Sequence, residues 1–335
     1  MKAAIIGVGG PGPGSGGAHS IGRAHARAFR ALGVDVWAAA DLNESRLHQF
    51  GEEYGVSRLY KDYRQMLKED SIDILSICTW PQTHASITLE AARAGVRAIL
   101  CEKPMALSLR QAAQMVEACE QAGVILAVNH QRPFADPWKK VRDLIAEGVI
   151  GELKHVVSAC GPWDIVTWGT HWIDMVSFFN GRSPVAWVLA ALDYSSGRQH
   201  HGYPMEDSGV AHFHFENGVE HVLFTGHEVA PGYYHRVVGS EGIIKVEAPG
   251  DWSLRYGVVG RGWTSVPVED TEQEAILRSV EAVVNALREG RQPPHSGRVA
   301  LGVTQTLLAA VYSAKVHRRI DLPSKELFDF EIQTV

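Results

Sequence analysis

Three groups of residues have types and spacings that could carry chemistry. The first is Gly7-Val8-Gly9 followed by Ile21-Gly22. A short apolar run ending at glycines, with a helical run behind it, is the strand-turn-helix that receives a dinucleotide, the pyrophosphate resting on the helix N-terminus. The spacing departs from the usual fingerprint. A Gly- and Pro-rich insertion, Gly10 to His19, separates the second and third glycines, and Ser20 stands where it would cap the helix. The competing reading is a surface loop beside an ordinary strand-to-helix turn. Asp41 falls about 20 residues beyond Gly22, where an acid hydrogen-bonds the adenosine ribose and repels a 2′-phosphate, so it favours NAD. Its alternative role is N-cap of the next helix, and Arg46 leaves NADP open as an acceptor of the extra phosphate.

The second group is Glu102-Lys103-Pro104. An ammonium just past the C-terminal end of a parallel strand lies on the sheet edge where open α/β proteins bind ligands. There it can hydrogen-bond a hydroxyl oxygen and stabilise the alkoxide that forms as hydride leaves carbon. Pro104 keeps Lys103 out of helical geometry; the alternative is a solvated lysine paired with Glu102. The third group surrounds His171, whose neutral imidazole can accept a hydroxyl proton or return it. Otherwise it is a packed histidine among Trp168, Trp172 and Met175. Asp164 and Asp174 are the carboxylates within reach along the chain to orient it. Trp80, Trp163 and Trp168 offer ring faces of the kind that line sugar pockets, or serve the core. His212 and His214 share a strand face with His200-His201 nearby in sequence, but no third metal ligand is evident, so no metal is expected.

The elements that must position these groups follow from periodicity. Short apolar runs at Ala3 to Val8, Val34 to Ala40, Ile72 to Ile77, Ala98 to Cys101 and Val124 to Val128 alternate with helical runs. Those helical runs are Ile21 to Leu32, Ser45 to Tyr54, Thr83 to Ala94 and Leu109 to Ala122, each with a glycine just beyond it. This predicts an α/β Rossmann domain over residues 1–128. Residues 129–335 read as an α+β domain with an open, mainly antiparallel sheet, and Asn217-Gly218 between two alternating runs predicts a hairpin. The closing helices, Glu272 to Arg288 and Val299 to His317, are candidates to pack back on the first domain.

Taken together, Cys78-Thr79-Trp80-Pro81-Gln82-Thr83-His84, Ala91-Ala92-Arg93-Ala94-Gly95 and Cys101-Glu102-Lys103-Pro104 resemble the glucose-fructose oxidoreductase and inositol dehydrogenase (Gfo/Idh/MocA) family. His25 after Gly22, Gly148-Val149-Ile150-Gly151 and Leu322-Pro323 extend the resemblance along the chain. It implies a Rossmann domain followed by an open sheet domain, a homo-oligomer built through that sheet, and a sugar, inositol or related polyol as substrate. It further implies a cofactor site including Gly7, Gly9, Ser20, Ile21, Gly22, Asp41, Thr79, Trp80, Pro81, His84, Glu102 and Lys103. Lys103 and His171 are the implied catalytic residues, with His130, Trp163, Asp164, Thr167 and His171 toward substrate. The family's D-x-G-x-H signature falls on Thr167-Trp168-Gly169-Thr170-His171, so its Asp is replaced by Thr167. The expected activity is hydride transfer to or from a secondary hydroxyl. Alternatives are a redox-neutral glycoside hydrolase working by oxidation and elimination, and a non-catalytic dinucleotide or sugar sensor.

Composition agrees with a small-molecule enzyme. A net charge of -6 over 335 residues, with no basic block, gives no footprint for nucleic acid or an anionic membrane. Cys78, Cys101, Cys119 and Cys160 form no Cys-x-x-Cys pair, which suits reduced thiols in the cytoplasm. The apolar start is too short for a signal peptide and reads as a strand. No run approaches the roughly 20 apolar residues that a bilayer span needs.

Overall fold

The computed structural model describes residues 1–9, 21–200, 202–229, 232–248, 253–268 and 272–333. The elements run β1 (Lys2–Ile6), α1 (Ile21–Ala31), β2 (Asp35–Ala40), α2 (Glu44–Tyr54), β3 (Arg58–Tyr60), α3 (Tyr63–Glu69), β4 (Ile74–Ile77), α4 (Pro81–Arg93), β5 (Ala98–Cys101), α5 (Leu109–Gln121) and β6 (Ile125–Val128). Next come α6 (Asp136–Ala146), β7 (Leu153–Gly161), α7 (Thr170–Phe179), β8 (Val185–Asp193), β9 (Gln199–His200), β10 (Tyr203–Pro204), β11 (Ser208–Phe215) and β12 (Glu220–Thr225). The chain continues through β13 (Gly232–Gly239), β14 (Gly242–Ala248), β15 (Ser253–Val258), β16 (Gly262–Val266), α8 (Glu272–Glu289), α9 (Gly297–Val316) and β17 (Ile320–Asp321). Two compact units result. One holds residues 1–106, 111–131 and 272–301, the other residues 107–110, 132–271 and 302–335.

In the first unit six parallel strands are ordered β3-β2-β1-β4-β5-β6. Alternation along β1 explains the two-sided core. Ala4 and Ile6 join Ile87, Ala91, Met115 and Val116 on one face, while Ala3 and Ile5 join Ala26, Phe29, Val280 and Val283 on the other. A fully buried side chain such as Phe29 contributes about 1.5–3 kcal/mol. Strands covered on both faces read as continuous apolar runs. β3 and α3 were not expected from the sequence, because three residues with Arg58 at their head and a seven-residue helix are too short to show a period. The strand order reverses between β1 and β4, which makes the C-terminal ends of these two strands the switch point where such sheets bind ligands.

The second unit is a nine-stranded sheet, β16-β15-β14-β13-β7-β12-β11-β8-β17. Its pairs are antiparallel except for β7 with β12. The predicted hairpin is present, β11 pairing with β12 across a turn in which Gly218 has φ +82°. Inward residues such as Phe213, Phe215, Leu223 and Val237 are buried. Trp138 of α6 and Trp172 and Phe179 of α7 close around His235, with ring centroids 5.1, 6.0 and 5.8 Å away. Burial, and after it His221 and Arg132, hold His235 well below its usual pKa, so it packs as a neutral ring bonded to Ser158 Oγ.

One expectation is corrected. Helix α9 has 20 residues and is long and apolar enough, by length and composition, to cross a bilayer. Its apolarity is spent on the fold: Val303, Leu307, Leu308, Ala309 and Ala310 are buried, and Ser313 Oγ accepts the amide hydrogen of Ala190 in β8.

Candidate functional site

At the switch point the backbone is closed on itself in a way only glycine permits. A Cβ on Gly22 would stand 2.2 Å from the carbonyl oxygen of Gly7, and one on Gly7 would stand 2.6 Å from that of Cys78. Gly7 and Gly9 also have φ of +88° and +68°. The first turn of α1 therefore sits directly against the end of β1, leaving the cradle that a pyrophosphate would fill. Asp41 locks the other side: Oδ2 accepts from Val8 N at 2.9 Å and Oδ1 from Asn43 N at 2.8 Å. It does not cap α2; Asn43 does, its side chain accepting from Arg46 N at 3.0 Å. Arg46 itself is exposed. Ile21 opens α1, while Ser20 and the Gly10–His19 insertion lie outside the described residues. Glycine cradle and acid at the end of β2 together fit a dinucleotide.

The loops after β4 and β5 are tied by a histidine. His84 is fully buried and places Nε2 3.0 Å from the carbonyl oxygen of Thr79 and Nδ1 3.0 Å from that of Pro104. Burial holds its pKa below the usual value, so the ring is neutral and donates its one N–H to one of these two carbonyls. Trp80 is 41 % exposed at the N-cap of α4, Pro81 takes the first turn, and Thr79 Oγ1 accepts from Thr83 Oγ1 at 2.7 Å.

Behind Lys103 lies a buried polar network. Glu102 turns inward rather than out to solvent: Oε1 accepts from Asn129 Nδ2 at 2.6 Å and lies 3.2 Å from His25 Nε2. His25 Nδ1 reaches Ser76 Oγ at 2.5 Å, and Cys78 Sγ lies 3.5 Å away. Asn129 Oδ1 accepts from Ser279 Oγ at 2.7 Å, and that hydroxyl also meets His295 Nε2 at 3.2 Å. Burial opposes charge on His25, but Cys78 and Glu102 outweigh it and push its pKa up to about 10. Burial likewise opposes ionisation of Glu102, but His25, then Lys103 and Asn129, hold its carboxyl below the usual value. Glu102 is therefore a carboxylate committed to a cationic His25, and Lys103 N is 3.3 Å from Oε2 of that same group. His130 follows at the end of β6, buried, its amide donating to Val128 O at 2.7 Å.

In the second unit the chain leaves β7 and makes a π-helical turn, Ile165–Gly169, before α7. Such turns recur at functional sites. Asp164 is its N-cap: Oδ1 accepts from Thr167 N and Oδ2 from Thr167 Oγ1, both at 2.6 Å. Ile165 N is taken by Glu206 Oε1 at 2.6 Å. Trp163 and Trp168 stack with centroids 4.6 Å apart, and Trp168 meets the His171 ring edge-on at 6.3 Å. Asp164, Thr167 and His171 are all buried. The turn thus brings together Trp163, Asp164, Thr167, Trp168 and His171. Asp174 is instead engaged by Arg182 in an ion pair.

Sequence reasoning missed Ser76, Asn129, Ser279 and His295, and it missed Glu206. A lone Ser or Asn beside a strand carries no pattern, and Ser279 and His295 arrive from the far end of the chain. Glu206, in Met205-Glu206-Asp207, offered only a pair of acids in a loop.

Comparison with known proteins adds to this geometry. Residues 1–130 match the Gfo/Idh/MocA profile, described as an oxidoreductase family with an NAD-binding Rossmann fold. The D-apiose dehydrogenase of Paraburkholderia graminis is 28% identical, the alignment covering 97% of this chain and 91% of that protein. The myo-inositol 2-dehydrogenase of Thermotoga maritima is 27% identical over 89% and 91% of the two chains. A crystal structure of an oxidoreductase from Agrobacterium radiobacter in complex with NAD+, L-tartaric acid and magnesium superposes with a TM-score of 0.82. It is 22% identical, with 96% of this chain and 98% of that one covered.

Proposed function

We propose that this chain, whose residues 1–130 match the Gfo/Idh/MocA oxidoreductase family, is a member of that family and moves a hydride between NAD and a secondary hydroxyl of a sugar, sugar derivative or cyclitol. What supports this reading most is Lys103 at the C-terminal end of β5 in a sheet ordered for dinucleotide binding, with Glu102 drawn away into the interior. Relatives named for apiose and myo-inositol support the substrate class. NAD, when bound, supplies the hydride chemistry; Gly7, Gly9, Ile21, Gly22 and Asp41 hold it, with Thr79, Trp80 and Pro81 at the neighbouring loop. Asp41 favours NAD over NADP by repelling a 2′-phosphate. Lys103 donates a hydrogen bond to the reacting oxygen and stabilises its developing negative charge. His171 holds the hydroxyl proton, and His130, Trp163, Asp164 and Thr167 shape the substrate's surroundings.

The chain assembles as a homo-oligomer through the outer face of the nine-stranded sheet. Support comes from Leu189, Val210 and Phe224, exposed on the neighbouring strands β8, β11 and β12. Four buried thiols suit a reducing, cytoplasmic setting. Lys103→Ala tests the chemistry. NAD reduction over a panel of sugars and cyclitols should vanish in this variant while NAD affinity, followed by titration, stays near that of the parent. Undiminished turnover would sink the assignment.

A further inference from the structure

The reading of His171 as proton carrier leaves position 167 unexplained, because threonine has no carboxylate. Its surroundings supply one. A carboxylate can only accept hydrogen bonds, so the contact between Thr167 Oγ1 and Asp164 Oδ2 at 2.6 Å uses the single hydroxyl hydrogen of Thr167. The amide of Thr167 is held by the other oxygen of the same group, which fixes the orientation. Only the lone pairs of Oγ1 then remain, polarised by an ionised partner. Thr167 precedes His171 by four residues, the π-helical turn Ile165–Gly169 running directly into α7.

We propose that Asp164 makes up for the carboxylate absent at position 167 by holding the Thr167 hydroxyl as a hydrogen-bond acceptor toward His171. Asp164 is thus a positioning residue, acting through Thr167, and the proposal rests on the hydride-transfer reading. Glu206 completes the arrangement. It is fully buried; its Oε1 accepts from Ile165 N at 2.6 Å and Thr225 Oγ1 at 2.5 Å, while Oε2 has no hydrogen-bond partner. Burial, and then the charge of Asp164, push its carboxyl up to about 7. Below that pH Glu206 carries a proton. Among the described residues, Arg132, over the rings of Trp168 and Trp172, the Asp174–Arg182 pair, and Tyr194 and Tyr203, whose hydroxyls are held protonated by burial and then by these carboxylates, also surround the turn.

A cap that merely shapes the turn would leave the titration of His171 alone, and this separates the two accounts. In Asp164→Asn the amide donates to Thr167 Oγ1 and reverses the hydroxyl. In Thr167→Val the hydroxyl is gone although Asp164 stays. Both should lower the His171 midpoint by about one unit or more, read by NMR of labelled histidine in the NAD-bound protein and assigned by its loss in His171→Gln. The double variant D164N/T167D places a carboxylate directly at 167 and should bring the midpoint back. On a substrate that the parent turns over, D164N should lower kcat at least about tenfold, part of the roughly 10²–10⁴-fold that acid–base groups supply, with KM little changed. A midpoint that D164N and T167V leave unmoved overturns the proposal, as does a lowered midpoint that the double variant fails to recover, or an unchanged kcat in D164N. If D164N fails to fold, T167V decides. A parent that turns over no polyol counts against hydride transfer alone, since the titration is read without turnover.

Discussion

His25 Nε2 stands 3.2 Å from Glu102 Oε1, so the acid next to Lys103 is neutralised from inside the domain. Removing one member of a buried pair typically costs about 3–5 kcal/mol. Because His25 can shed its proton when its partner is gone, Glu102→Gln should fall toward the low end of that range. Denaturant unfolding of the variant measures the loss. Full stability in Glu102→Gln would mean the pair does not hold this end of β5.

The same pair sets a pH window. The pKa of His25 is raised from 6.5 to about 10, so its contribution is complete below about pH 6.5 and fades as pH climbs through 10. Glu102 is lowered from 4.5, so its contribution is complete above about pH 4.5 and fades as pH falls through the lowered value. Unfolding free energy plotted against pH should drop more steeply on both sides in the parent than in His25→Gln. Parallel curves would contradict the charge assignment.

Gly22→Ala is expected to damage the cofactor site first. The added carbon would meet the Gly7 carbonyl at 2.2 Å, and neither backbone can give without moving β1 from α1. Overpacking of this kind costs about 1–3 kcal/mol. Calorimetric titration should show NAD affinity reduced by an order of magnitude or more, whereas Gly302→Ala, with nothing within 4 Å of its Cβ and no left-handed backbone, serves as a control for the effect of an added methyl alone.

Glu206→Gln should stabilise the fold at alkaline pH. A carboxyl raised from 4.5 to about 7 favours the folded state fully below pH 4.5 and loses that contribution as pH rises through 7. The amide cannot ionise and keeps an oxygen for Ile165 N and Thr225 Oγ1. Thermal unfolding at pH 8.5 and at pH 4.5, chosen as about 1.5 or more units either side of the folded value, should show the variant gaining on the parent only at the higher pH.

Much of this arrangement is legible in the sequence because period and punctuation carry it. Apolar runs such as Ile74–Ile77, with glycines beyond each helix, declare the parallel sheet, and Asn217-Gly218 declares the hairpin. Gly7, Gly22 and Asp41 are readable because their chemistry depends on local spacing. What is not readable is whatever depends on distant segments meeting. Asn129 gains its meaning from Ser279, 150 residues away, and Asp164 acquires Glu206 as a neighbour on the same turn only because β7 and β12 lie side by side. His84 shows the other limit: its motif position is evident, but its seat between the carbonyls of Thr79 and Pro104 appears only in three dimensions.

The parallel pairing of β7 with β12 also bears on how the second unit comes to exist. Antiparallel neighbours can zip from a short turn, but these two strands are separated by residues 162–219, the stretch containing Asp164, Thr167 and His171. They cannot join until that whole excursion has been drawn closed, and non-local pairing of this kind is slow. Closing β7 on β12 should therefore come late in refolding, and the stacked Trp163 and Trp168 on the excursion between them offer an intrinsic fluorescent clock for that step.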